Sequence, residues 1–135
     1  MPKATLNARN MPIGYQTILS NGTHGYLADE PVADNGTDLG FAPYDLLLSA
    51  LAACKTMTIR YLARQKGWPL DDVHAELSLD TERRDGQTVT DIQVKIRLEG
   101  DLTDDQRTQL MRAADRCPVH RMLKGELNIA EAVSY

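Results

Sequence analysis

Apolar and polar positions change their rhythm along the chain, and each change marks an element. The first third carries short alternating runs, roughly Lys3–Arg9, Tyr15–Ser20 and His24–Ala28, with Asn21-Gly22 before the last of them. Alternation at period two predicts strands with one covered face, and Asn-Gly suits a tight hairpin turn. From Asp29 to Gly40 the chain is polar and holds Pro31, Gly36 and Gly40, which predicts a loop. A helix is predicted from Pro43, well suited to a first helical position, to about Lys66, where Gly67 and Pro69 stop it. Its first half, LLLSALAAC, is apolar nearly all round. Such a helix needs cover on most sides. One sheet covers one side only, so a partner subunit is expected on the other.

Two long runs at period two follow. Val73, Ala75, Leu77 and Leu79 alternate with polar residues in Val73–Arg83, as do Ile92, Val94, Ile96 and Leu98 in Thr88–Leu98. Asp85-Gly86 between them predicts the turn of a hairpin. Thr103 with Gln106 three positions on forms a capping-box signature, so a second helix starts there. It turns Leu110, Met111, Ala113 and Ala114 inward and ends near Cys117, because Pro118 disfavours helical geometry at the residue before it. Pro118 can open a short helix through Leu123, closed by Gly125, and a strand from Leu127 to Val133 completes the chain. The predicted order is βββ-α-ββ-αα-β, an α+β fold in a single domain of 135 residues.

Composition narrows the function classes. A formal charge of −4 offers no basic face for nucleic acid. No stretch reaches the ~18–20 consecutive apolar residues of a membrane span, and the longest, Leu46 to Cys54, is broken by Ser49. The opening MPKATLNARN lacks the apolar core of a signal peptide, so a cytoplasmic location is expected.

There the two cysteines, Cys54 and Cys117, are either core filler or chemistry rather than a disulfide framework. No C-x-x-C is present. Without a paired ligand motif, neither a metal nor any other cofactor is expected, although Cys54, Cys117 and His120 could in principle share a zinc ion. Cys54 sits mid-helix among Leu47, Ala50, Leu51, Met57, Thr58 and Tyr61. Such a site suits a buried cysteine acting as a small hydrophobe, and reactivity there requires a cation brought from elsewhere. Cys117 stands at a helix junction beside Arg116, Pro118 and Arg121, where free N–H groups favour a thiolate; gap filling explains it equally well. His120 could serve as a base, or simply pack. The two cysteines are 63 positions apart, a separation that does not reveal whether they meet.

The segments PYDLLLSALAACKTMTIRYLARQKG, LEGDLTDDQR and RCPVHRML, in this order and spacing, resemble the OsmC/Ohr family of thiol-dependent peroxidases. The resemblance runs from about Asp38 to Val133. It implies a swapped dimer whose antiparallel sheets wrap paired central helices. It also implies that Cys54 is the peroxidatic cysteine and Cys117 the resolving one, closing a disulfide that a dithiol reductant reopens. Organic hydroperoxides are the implied substrate, and oxidative-stress defence the implied role. The family further uses an arginine and a carboxylate. Arg9, in TLNARN, is the candidate arginine; none occurs between Asn10 and Ile59, and Arg60, Arg64, Arg116 and Arg121 are the substitutes. Where the family often carries Glu about ten residues before the cysteine, this chain has Asp45, nine before it and on the opposite side of a regular helix. These departures keep two alternatives open: a non-peroxidase relative that binds an apolar small molecule at the dimer interface, and a general thiol redox protein.

Overall fold

Asn21-Gly22 makes the turn its sequence predicts. In the computed structural model, which describes residues 2–135, Asn21 Oδ1 accepts from the amides of Thr23 and His24 at 2.9 and 2.7 Å. The turn joins strand β2 (Thr17–Ser20) to β3 (Gly25–Ala28), and β1 (Asn7–Asn10) pairs along the other edge of β2, all antiparallel. β1 is shorter than its alternating run, because Asn7 already faces Ser20, the last residue of β2, and Lys3 to Leu6 have no strand to bond. The loop beyond β3 contains a 3-10 turn at Val32–Asp34.

Asp29 organises that loop. Its side chain accepts from the amides of Tyr15, Glu30, Thr37 and Leu39 and from the Thr37 hydroxyl, and the residue is 2% exposed. The Thr37 hydroxyl bond, helped by the amides and opposed by burial, holds the Asp29 carboxyl at a pKa of about 2. The folded value lies below the unfolded value of 3.8, so the unfolded chain takes up the proton first. The stability these bonds supply is complete above about pH 4 and is lost as pH falls through about 2. Urea midpoints of the wild type and Asp29→Asn, compared at pH 5, 4, 3 and 2, are expected to converge toward the acid end. A gap that stays constant across that range would show that Asp29 does not carry the effect.

Contacts group the chain into two compact units, one ending at Leu47 and one from Leu48 to Tyr135. Helix α1 (Pro43–Lys66) runs through the boundary. At its start the Asp45 carboxylate reaches back to the Ala42 amide at 3.1 Å, one half of a capping box; Arg64 and Lys66 in its last turn suit the negative end of the helix dipole.

In the second unit, strands β4 (Leu70–Arg84) and β5 (Gln87–Gly100) form the long hairpin. Asp85 and Gly86 take φ of 49° and 78°, the two positive angles of a hairpin turn whose twist matches the strands. Val73 faces Leu98, Ala75 faces Ile96, Leu77 faces Val94 and Leu79 faces Ile92, so the two predicted apolar sets are in register on one face. At Gly100, φ is 148° and a Cβ would lie 2.1 Å from the Pro69 carbonyl oxygen, so only glycine lets the strand end pass there.

Thr103 and Gln106 complete both halves of the capping box that opens α2 (Asp104–Ala113). A 3-10 turn, Ala114–Arg116, leads to α3 (Pro118–Lys124). The core of this unit gathers Ile59 and Ala63 of α1, Leu70 and Leu98 of the hairpin, and Leu110 and Ala114 from the C-terminal helical segment. By length and composition α1 could cross a membrane. Its buried positions, Leu51, Lys55, Ile59 and Ala63, instead recur every fourth residue as a single stripe, the pattern of a helix covered on one side.

The architecture is α+β, strands then helix, strands then helices. One predicted element differs. Leu127 to Val133 forms no ladder in the single chain, and Ile129 and Val133 are each 85% exposed. The alternation is real, but a strand exists only by bonding to an edge, and among the described residues no edge is paired with that segment.

Candidate active site

Cys117 owes its position to Pro118. The proline excludes helical geometry from the residue before it, and Cys117 accordingly takes φ −65° and ψ 141° between the 3-10 turn and α3. That places its side chain as the N-cap of α3, with Sγ accepting from the His120 amide at 3.3 Å. The residue is wholly buried. Cys54, half-buried on α1, lies near it, close enough for the two free thiols to act on each other's charge. The fold therefore closes the 63-residue gap that sequence spacing left open.

Burial pushes the Cys117 thiol up, and the neighbouring Cys54 pushes the same way; the His120 amide and the Lys55 charge pull against them without prevailing. Cys54 faces outward. It opens on a cleft of about 630 Å³ walled by Ala50, Ala53, Met57 and Tyr61, with Pro118 at its edge. The arrangement has a half-buried cysteine at an apolar wall and a wholly buried thiol near it.

A third group joins them that the sequence did not single out. Lys55 is 1% exposed, and its Nζ donates to the Ala114 carbonyl at 2.9 Å and contacts His120 Nδ1 at 2.8 Å. Asp115 Oδ1 lies 3.6 Å away on a side chain that is 78% exposed. The available signal was a lysine four residues from Leu51 and four from Ile59, in the middle of an apolar run. His120, left between base and packing, does two things here: its amide binds the Cys117 sulfur and its ring binds Lys55. With Nδ1 held by an ammonium, His120 does not present that nitrogen to a zinc ion.

The remaining candidates are placed as follows. Arg9 is exposed in β1, and Asp45 caps α1, both in the N-terminal unit. Arg60 donates to the carbonyls of Leu70 and Asp71, which occupies it at the start of the hairpin. Arg64, Arg116 and Arg121 are exposed.

An α+β chain in which a helix-borne cysteine lies near a second cysteine at a helix junction is a narrow structural class. Residues 36–132 match the family of OsmC-like proteins, and the chain belongs to that family. Solved structures share the fold. An OsmC-like protein from Mycoplasma pneumoniae superposes with a TM-score of 0.78 at 21% identity, over 92% of this chain and 89% of that one. The organic hydroperoxide resistance protein OhrB of Bacillus subtilis gives 0.65 at 21% identity, over 92% of each chain. An organic hydroperoxide resistance protein OsmC of Legionella pneumophila gives 0.69 at 17% identity, over 93% and 91%. No match was found among curated proteins.

Proposed function

We propose that the protein is a thiol-dependent peroxidase that reduces organic hydroperoxides and serves in oxidative-stress defence. The observation that carries this reading is that the fold brings Cys54 and Cys117 near each other. In the first step the Cys54 thiolate attacks the outer peroxide oxygen and the O–O bond breaks. The alcohol leaves with a proton, and Cys54 becomes a sulfenic acid. In the second step Cys117 attacks that sulfur, the S–O bond breaks, and the hydroxyl leaves as water with the Cys117 proton. A dithiol reductant returns both thiols by exchange.

The cleft supports an organic substrate, since apolar walls favour the alkyl part of a hydroperoxide over water. In this reading Arg9 supplies the guanidinium that steadies charge on the departing oxygen, and Asp45 the carboxylate that orients it. The active form is a homodimer. Met57 and Tyr61 of α1 are 69% and 65% exposed, and the segment Leu127 to Val133 keeps a strand pattern without an edge.

Mixing reduced protein with one equivalent of cumene hydroperoxide tests the chemistry. Loss of two thiols for each peroxide consumed, with recovery on adding a dithiol, is the expected result. Peroxide that survives beside intact thiols would reject the peroxidase and leave the apolar cleft as a small-molecule binding site.

A further inference from the structure

Lys55 is a buried cation that the core does not require. Removing an ammonium from water carries a heavy penalty unless an anion or a full set of acceptors compensates it. The acceptors here are two neutral groups, the Ala114 carbonyl and His120 Nδ1. The nearest full negative charge, on Asp115, is largely exposed, and solvent screens such a pair.

Each element packed around Lys55 can be checked for a better partner. The hairpin brings Leu70, Val73, Ile96 and Leu98 to this core and α2 brings Leu110; the charged side chains α2 places beside Ala114 and Asp115 are the cations Arg107 and Arg112, which offer Lys55 no anion. The segment from the 3-10 turn to α3 brings Asp115, His120 and Cys117, and α1 itself brings Cys54. The group there that is wholly buried and able to become an anion is the Cys117 thiol.

We infer that Lys55, held by His120 and Ala114, is the positioning cation of the disulfide-closing step, compensating the charge that appears on Cys117 as its proton leaves. His120 serves as the bracket. Its ring fixes the ammonium while its amide fixes the Cys117 sulfur, so one residue sets the spacing of cation and thiol. The Lys55 charge already acts on Cys117 in the sense that favours the thiolate. The reaction served is the condensation of Cys117–SH with an oxidised Cys54 sulfur. One S–S bond forms, the bond from Cys54 sulfur to its leaving group breaks, and the Cys117 proton departs with that group. This assignment deepens the thiol chemistry proposed above, and Arg9 keeps its separate part in the peroxide step.

The test needs no peroxide. Reduced protein is mixed with 5,5′-dithiobis(2-nitrobenzoic acid), and release of the coloured thiolate is followed from pH 5 to pH 9. The first release reports attack by Cys54, and the second reports ring closure by Cys117. Lys55→Met is expected to slow the second release roughly tenfold at pH 7 and to move its pH midpoint up by about one unit, while the first release changes far less. His120→Asn, which frees the ammonium, shifts the second midpoint in the same direction and carries the test if circular dichroism shows Lys55→Met unfolded. A folded variant of either kind with an unchanged midpoint for ring closure overturns the inference. The two readings fail separately. A protein that ignores hydroperoxide yet closes its disulfide in a Lys55-dependent way refutes the peroxidase alone. One that consumes hydroperoxide with ring closure indifferent to Lys55 refutes the role of Lys55 alone.

Discussion

Cys54→Ser is expected to lower peroxide consumption by on the order of a thousandfold or more, the scale at which loss of a nucleophile is felt, whereas Cys117→Ser is expected to spare the first turnover. The asymmetry follows from position. Cys54 opens on the apolar cleft, so it is the thiol a peroxide can reach. A serine hydroxyl in its place keeps the shape and loses the anion. Cys117 is wholly buried, with burial raising its thiol, and it has no direct path to a peroxide. Without it, Cys54 sulfenic acid has no thiol to condense with. It should persist long enough to be captured by dimedone and identified by mass spectrometry, and excess peroxide should carry it on to the sulfinic acid. Stopped-flow measurement of the first turnover separates the two roles. If Cys117→Ser abolished the first turnover and Cys54→Ser spared it, the assignments would be reversed.

The second large effect concerns assembly. The protein is expected to scatter light at twice the 15.0 kDa mass of its chain, and Met57→Asp is expected to return it to the single-chain mass at micromolar concentration. Just 22% of the most apolar stretch of α1 is buried within one chain, and Met57 lies on its open side. A carboxylate enclosed in an apolar interface without a partner costs about 3 kcal/mol or more, and each 1.4 kcal/mol is roughly tenfold in affinity, so the dissociation constant should rise by at least about a hundredfold. Two copies of the interface would double the number of substitutions and enlarge the effect. A wild type that scatters as a single chain at any accessible concentration would remove the dimer from the proposal. Since Met57 also lines the cleft beside Cys54, dissociation and altered substrate binding are to be measured on the same variant.

Much of the fold was legible because its signals are local. The hairpin announces itself through two apolar sets at period two and an Asp-Gly turn, and the turn sets a register that runs outward from Arg84 facing Gln87. The capping box of α2 is likewise a four-residue motif. The strand around Arg9 is shorter than its alternating run for a non-local reason, the end of β2 at Ser20. The strand expected from Leu127 to Val133 fails in the single chain for the same kind of reason, since alternation marks which side chains want cover but does not supply an edge.

The site divides along the same line. Both cysteines were visible, and the proline that shapes Cys117 was visible beside it. Their proximity was not, because it depends on how α1 and the C-terminal helical segment are laid against each other. Lys55 was hidden more thoroughly. A lysine on a helix is ordinarily a solvated residue, and its two acceptors lie 59 and 65 positions away. Arg60, one of the substitute arginines that the sequence offers, is committed to backbone carbonyls.

One atom of this site has a second duty. The sulfur of Cys117 holds the first turn of α3 by accepting from the His120 amide, and a helix of seven residues has little cooperative strength of its own. Drawing that sulfur into a bond with Cys54 pulls it off the amide. The oxidised chain would then fray over residues 118–124, and faster hydrogen exchange at His120 would report it. In the proposed cycle a recycling thiol would then meet a loosened helix, with the bond that has to be cut more open to attack.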